Sequence, residues 1–208
     1  MAVSPPQAVP ATMTFEEFIA YPHADPHVEW VNGKVVPMSP VTERHADVVG
    51  FLSALIRTYA GEKRLGAVYG EPYQMRAAEN LPSRSPDIVY VAAANAARVL
   101  SGYLNGPADV AIEVVSPESR GRDRGEKYYE YEEGGVGEYW IVDPDRLDAR
   151  FFQRDAHGAF QPVAVSDDGV YHSKAIDGFW LRVEWLWRIP APGVLDTLKE
   201  IGLVQPTN

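Results

Sequence analysis

The chain has no cysteine in its 208 residues. That absence removes disulfide staples, thiolate metal sites and cysteine nucleophiles together. It is compatible with a reducing compartment, and a cytoplasmic location is expected. Long apolar runs are missing as well: nothing approaches the roughly 18 consecutive apolar residues of a membrane helix, so no membrane partner is expected. Positive charge is scarce. The 19 Lys and Arg against 29 Asp and Glu leave a net charge of −10. This argues against a protein that grips nucleic acid through a broad basic surface. Any nucleic-acid role must rest on a local basic surface or on a metal. The opening MAVSPPQAVPAT lacks the basic and apolar regions of a secretory signal. Residues 1–12 read instead as a disordered, Pro-rich lead.

What is present is a well-patterned chain, 46% hydrophobic. At this length it buries about 70% of its unfolded surface and needs no staple. One domain is expected over residues 13–190, then a tail over 191–208 with a short helix in VLDTLKEIGLV. TFEE, Thr14 to Glu17, is a capping box that opens a helix to about Ala20. VEWVNGKVVPM alternates on both sides of Asn32-Gly33, the signature of a hairpin with a type I′ turn. From Thr42 to Ala60, positions 45, 48, 49, 52, 55, 56 and 59 recur at helical spacing. LGAVYG, PYQMRA, PDIVYV (86–91), DVAIEVVS (109–116) and VGEYWIVDP (136–144) read as strands. The near-continuous apolar run in 109–116 suggests a central one. Residues 119–133 read as one helix, ended by Gly134-Gly135. DARFFQ, FQPVAV and FWLRVEW follow as antiparallel strands. The order implies an α+β fold on a mixed β-sheet flanked by helices.

One carboxylate stands out. Glu113 sits inside the apolar strand 109–116, where an unpaired charge is costly. Asp87 sits at the mouth of the preceding long strand. If the two strands are neighbours, both carboxylates meet at one end of the sheet. They stay ionised together only beside a cation, and hard oxygen ligands suit Mg²⁺ or Mn²⁺. Two carboxylates on such an ion leave positions for water and phosphate, an arrangement that cuts phosphodiesters. A fixed positive group near the phosphate is then required, and Lys127 supplies it if its helix packs over the sheet. Each residue also has an ordinary use. Asp87 can cap a turn, Glu113 can pair with an arginine, and Lys127 can pair with Asp123 one helical turn earlier.

The spelling narrows the choice. EWVNGKVVPMSP, then His45, then PD followed after 25 residues by EVV, then SPESR, a Lys-bearing helix and GVGEYWIVDP resemble the Uma-type family of putative restriction endonucleases. That family is a branch of the PD-(D/E)XK nuclease superfamily. The resemblance covers residues 13–187 and implies a restriction-endonuclease-like fold. It further implies Asp87, Glu113 and the Val114 carbonyl as metal ligands, with Glu29 as an accessory acid. The lysine usual two residues after the glutamate is replaced here by Val115. The resemblance therefore implies a displaced lysine, Lys127, as the fourth catalytic residue beside Glu29, Asp87 and Glu113.

Arg120, Arg122 and Arg124 are candidates for phosphate contact, or members of a mixed-charge face with Glu118, Asp123 and Glu126. His45 is a candidate for substrate contact or for the core. The superfamily commonly acts as homodimers, and FWLRVEWLW (179–187) is an aromatic-rich candidate contact. Two functions follow: a Mg²⁺- or Mn²⁺-dependent endonuclease hydrolysing DNA phosphodiesters, or a non-catalytic scaffold or regulator retaining the nuclease fold.

Overall fold

The computed structural model describes residues 10–23, 26–116 and 119–203. Most of the Pro-rich lead, Pro117-Glu118 of the SPESR motif and the last residues of the tail lie outside them. In chain order the elements are α1 (Phe15–Ala20), β1 (Val28–Val31), β2 (Lys34–Pro37), α2 (Glu43–Glu62), β3 (Gly66–Gly70), β4 (Gln74–Arg76), β5 (Ser83–Arg84) and β6 (Ile88–Ala92). A 3₁₀ turn (Ala93–Arg98) leads to β7 (Tyr103–Asn105), β8 (Val110–Val114), α3 (Arg120–Arg124), α4 (Glu126–Gly134), β9 (Glu138–Asp143), β10 (Asp148–Arg154) and β11 (Phe160–Val163). The chain ends with β12 (Val170–His172), β13 (Trp180–Arg182), a second 3₁₀ turn (Val183–Trp187) and α5 (Val194–Glu200).

The main sheet has six strands in the order β11-β10-β9-β8-β6-β3. All its pairs are antiparallel except β8–β9, joined by the crossover through α3 and α4. A second sheet, β2-β1-β5-β4-β7, and a small β12–β13 pair complete the β structure. The mixed sheet expected from the element order is the six-stranded one, and two further sheets lie beside it among the described residues.

Alternation along the central strands decides where the chemistry goes. Strand side chains point to opposite faces in turn. Val110, Ile112 and Val114 of β8, with Trp140 and Val142 of β9, pack with α2 through Leu52, Leu55, Ile56 and Tyr59. Each such apolar side chain contributes about 1.5–3 kcal/mol when fully buried. Ala111 and Val115, with Tyr139 and Ile141, face the other way and meet Tyr131 of α4. Glu113 shares this second face, so the helix that carries Lys127 covers it.

The local signals hold. Asn32 and Gly33 both take positive φ, 50° and 83°, as a type I′ turn requires. Thr14 and Glu17 form the reciprocal capping box, and Thr42 caps α2 through the His45 amide. Gly135 ends α4 at φ 90°.

Two expectations are corrected. The single helix over 119–133 is broken at Gly125, where the backbone (φ −121°, ψ −91°) leaves the helical region. A Cβ there would stand 2.8 Å from the Gly121 carbonyl. FWLRVEW is only partly a strand. It turns into 3₁₀ after Arg182 and buries Phe179, Leu181, Trp185 and Leu186 in the main core. Those side chains are therefore not an exposed apolar patch for a second subunit. The tail's α5 packs on this core too, through Leu198.

Glu138 pins the β12–β13 pair to the main sheet. Its buried carboxylate accepts from Trp140 Nε1 (3.0 Å), Tyr171 Oη (2.8 Å), Ser173 Oγ (3.0 Å), Lys174 N (2.6 Å) and Ala175 N (2.9 Å). Replacing Glu138 by Ala strands several buried donors and should destabilise the fold by about 3 kcal/mol or more. Urea unfolding of the variant measures this; a loss under about 1 kcal/mol would show that solvent satisfies those donors instead.

Candidate active site

Asp87 precedes β6 and Glu113 lies in β8. The antiparallel register pairs Ile88 with Ile112, so the next step of the ladder sets Asp87 opposite Glu113. Asp87 closes the ladder with its side chain: Oδ2 accepts from the Val114 amide at 2.6 Å. Its Oδ1 is 3.2 Å from His45 Nε2. His45, expected at the start of an apolar helix face, is therefore buried but turned to the site.

Lys127 reaches the same place from α4. Its Nζ lies 2.9 Å from Glu113 Oε2, 3.3 Å from Asp123 Oδ1 and 3.7 Å from Glu29 Oε1. Tyr131, one turn further along α4, donates its hydroxyl to Glu113 Oε1 at 2.8 Å. Glu29 comes from β1 in the other sheet. Arg84 Nη1 donates to it at 2.9 Å, and the Ser85 amide at 3.3 Å. Arg84 also grips Glu130 of α4 with two bonds of 2.7 Å. The exposures are 2% for Glu29, 7% for Asp87, 3% for Glu113 and 4% for Lys127. The four residues selected from the sequence thus form one buried cluster at the junction of two sheets and α4.

Burial and charge compete at each group. Burial pushes the Glu113 carboxyl well above the ordinary glutamate range; Lys127 offsets part of this, while the charges of Asp123 and Asp87 add to it. Burial would also raise Glu29, but Lys127 and Arg84 outweigh it and hold that carboxyl low. Burial disfavours charged Lys127, yet Glu113, Asp123 and Glu29 raise its pKa and keep it an ammonium. Burial opposes protonation of His45 as well, and its bond to Asp87 reverses the sign, so its pKa is raised. Glu71 is raised, first by burial and then by the charge of Asp87.

These groups open onto a small pocket of about 40 Å³, lined by Glu29, His45, Glu71, Asp87, Glu113, Val114, Ser116, Ser119, Arg122 and Lys127, with Met38, Ser39 and Val41 at its side. A cavity needs roughly 10–15 Å³ to hold one water, so there is room for an ion and its nearest water. Among the described residues no group of three or more His, Asp or Glu side chains is arranged as a metal cluster.

The three arginines separate. Arg120 pairs with Asp143 at 3.0 Å, and Arg124 pairs with Asp143 at 3.2 Å and Asp148 at 2.8 Å. Both tie α3 to the end of β9, and Arg124 ties it to the start of β10 as well. Arg122 is the one of the three that lines the pocket.

Sequence reasoning missed Arg84, Tyr131 and Glu71. Tyr131 was legible in principle, since it follows Lys127 by one helical turn and shares its face. Arg84 and Glu71 come from short loops and strands with no periodic signal.

A surface lysine paired with Asp123 alone could be removed at almost no cost. Lys127 is instead a buried ammonium among three carboxylates. Lys127→Met should lower the unfolding free energy by about 3–5 kcal/mol, the scale for stranding buried partners. Thermal melting decides; an unchanged melting temperature would mean that the acids are hydrated in solution.

The fold has counterparts among known proteins. A crystal structure of a putative nuclease from Anabaena variabilis ATCC 29413 superposes with a TM-score of 0.68 at 18% identity, covering 84% of this chain and 97% of that one. At that identity the likeness establishes the α+β fold alone. No curated protein matches the chain. The profile of one family, Uma2, described as putative restriction endonuclease, matches residues 15–184, which includes every residue of the cluster. The chain therefore belongs to the Uma2 family of putative restriction endonucleases.

Proposed function

We propose that this chain is a divalent-metal-dependent endonuclease that hydrolyses DNA phosphodiester bonds at the Asp87–Glu113 pocket. The observation that carries the reading is the meeting of Asp87, Glu113 and Lys127 at one end of the β6–β8 ladder, with Lys127 2.9 Å from Glu113.

The residues fit a hard cation. Glu29, Asp87, Glu113 and Asp123 are buried beside three buried bases, Lys127, Arg84 and His45. Arg84 is shared with Glu130, so the balance is negative in a setting that disfavours net charge. Such a site takes up a proton or a cation. The donors are carboxylate and carbonyl oxygens, which suit Mg²⁺ or Mn²⁺ over softer ions. Asp87, Glu113 and the Val114 carbonyl would hold it. When bound, the ion supplies charge stabilisation at a phosphoryl oxygen and makes a neighbouring water more acidic.

The protein's own groups do the rest. Asp87 is fixed by the Val114 amide and His45, so its carboxylate is preorganised. Tyr131 and Lys127 fix Glu113. Lys127 presents a positive charge where negative charge grows on the phosphoryl oxygens, the role that Val115 cannot fill. Arg122 at the pocket rim contacts a flanking phosphate.

A second reading, a scaffold that keeps the fold without turnover, draws on the net charge of −10 and on the internal pairing of Arg120 and Arg124. Supercoiled-plasmid and oligonucleotide cleavage separates the two. The nuclease reading expects nicking or linearisation with Mg²⁺ or Mn²⁺ and none in EDTA. It also expects losses of about 100-fold or more in Asp87→Asn and Glu113→Gln. Metal-independent inertness of the folded parent, or full activity in both variants, would contradict it.

A further inference from the structure

Asp123 lies on α3 and is 1% exposed. Neither oxygen of its carboxylate finds a hydrogen-bond donor among the described residues. A buried carboxylate in that condition is strongly unfavourable unless a cation compensates it. The cation within reach is Lys127, whose Nζ is 3.3 Å from Asp123 Oδ1. Residues four apart meet naturally on a continuous helix, but here the chain breaks between them at Gly125. Their meeting therefore depends on tertiary contacts. One is visible: Tyr139 of β9 donates its hydroxyl to the Asp123 carbonyl at 2.9 Å and fixes the end of α3 over the sheet.

We infer that Asp123 is a positioning residue, which acts through Lys127 by holding its ammonium at the edge of the Asp87–Glu113 pocket. This deepens the nuclease reading and rests on it. The ammonium is shared by three acids on three elements: Glu29 on β1, Glu113 on β8 and Asp123 on α3. Shared in this way, Lys127 keeps its place when Glu113 takes another partner. Without Asp123 the ammonium has only Glu113, at 2.9 Å, and Glu29, at 3.7 Å, to fix its place beside the pocket.

Asp123→Asn, Lys127→Met and the double variant test this with two readouts. In cleavage, Asp123→Asn should lower kcat about ten-fold while leaving KM and the Mn²⁺ affinity measured by calorimetry within about two-fold. In the Lys127→Met background the same change should cost nothing further. In melting, which needs no activity, Lys127→Met strands the Asp123 charge. The double variant should then melt several degrees above Lys127→Met alone, a reversal that an unrelated structural residue would not show. If Lys127→Met fails to fold, recovery of folding in the double variant supports the inference. A double variant no more stable than Lys127→Met, or an equal kcat loss in both backgrounds, overturns it. A folded but inactive parent removes the positioning role together with the nuclease reading; the melting order then tells that failure from a failure of the ion pair.

Discussion

Lys127 offsets part of the negative charge at the buried end of the main sheet, and the other features of the site depend on that charge. Glu113 occupies a fully buried strand, and Glu29 of the hairpin and Asp123 of α3 are themselves buried. Any one of these acids would be expensive alone. Around one ammonium they become a network in which each element is tied to the others: β1 of one sheet, β8 of the other, and α3 and α4 above both. The network is thus a fastening between two sheets as well as the proposed reactive centre. Arg84 extends it on the far side by joining Glu29 to Glu130 of α4.

Two-residue alternation makes this possible at low cost to the core. Val110, Ile112 and Val114 of β8, with Trp140 and Val142 of β9, feed the apolar interior under α2, and Ala111, Glu113, Tyr139 and Ile141 lie on the face under α4. Glu113 therefore interrupts no packing on the α2 side. The face that holds it is polar only where Lys127 and Tyr131 reach over. Elsewhere on that face Tyr139 and Ile141 remain apolar and exclude water. Low polarizability around the site strengthens every charge interaction within it. The acidity of the whole chain is then less of an obstacle than it first looks. A small number of local positive groups, Lys127 and Arg122, faces the pocket, while Arg120 and Arg124 are spent on holding α3 in place.

Much of this was legible in the residues. The helix over 43–62, the type I′ hairpin and the glycine stop after α4 each follow from local chemistry that tertiary structure did not override. Glu113 announced itself because a lone acid in an apolar strand needs an explanation. Three things were not legible. The break at Gly125 brings the chain close to the Gly121 carbonyl, a contact with no periodic trace in the sequence. The inward turn of Trp185 depends on the core it fills, so an aromatic-rich run read equally well as an outer contact. The role of Arg84 requires two short strands and α4 to converge, and distance in space has no counterpart in spacing along the chain.

The central claim is that the buried negative surplus at the Asp87–Glu113 edge is a place for a cation. Crystals soaked in MnCl₂ and measured at the manganese edge address it without reliance on turnover. The account predicts an anomalous peak bound by carboxylate oxygens of Asp87 and Glu113, with Lys127 still held by Asp123 beside it. A saturated crystal with no peak at that pocket, or with manganese bound only elsewhere on the acidic surface, would contradict it.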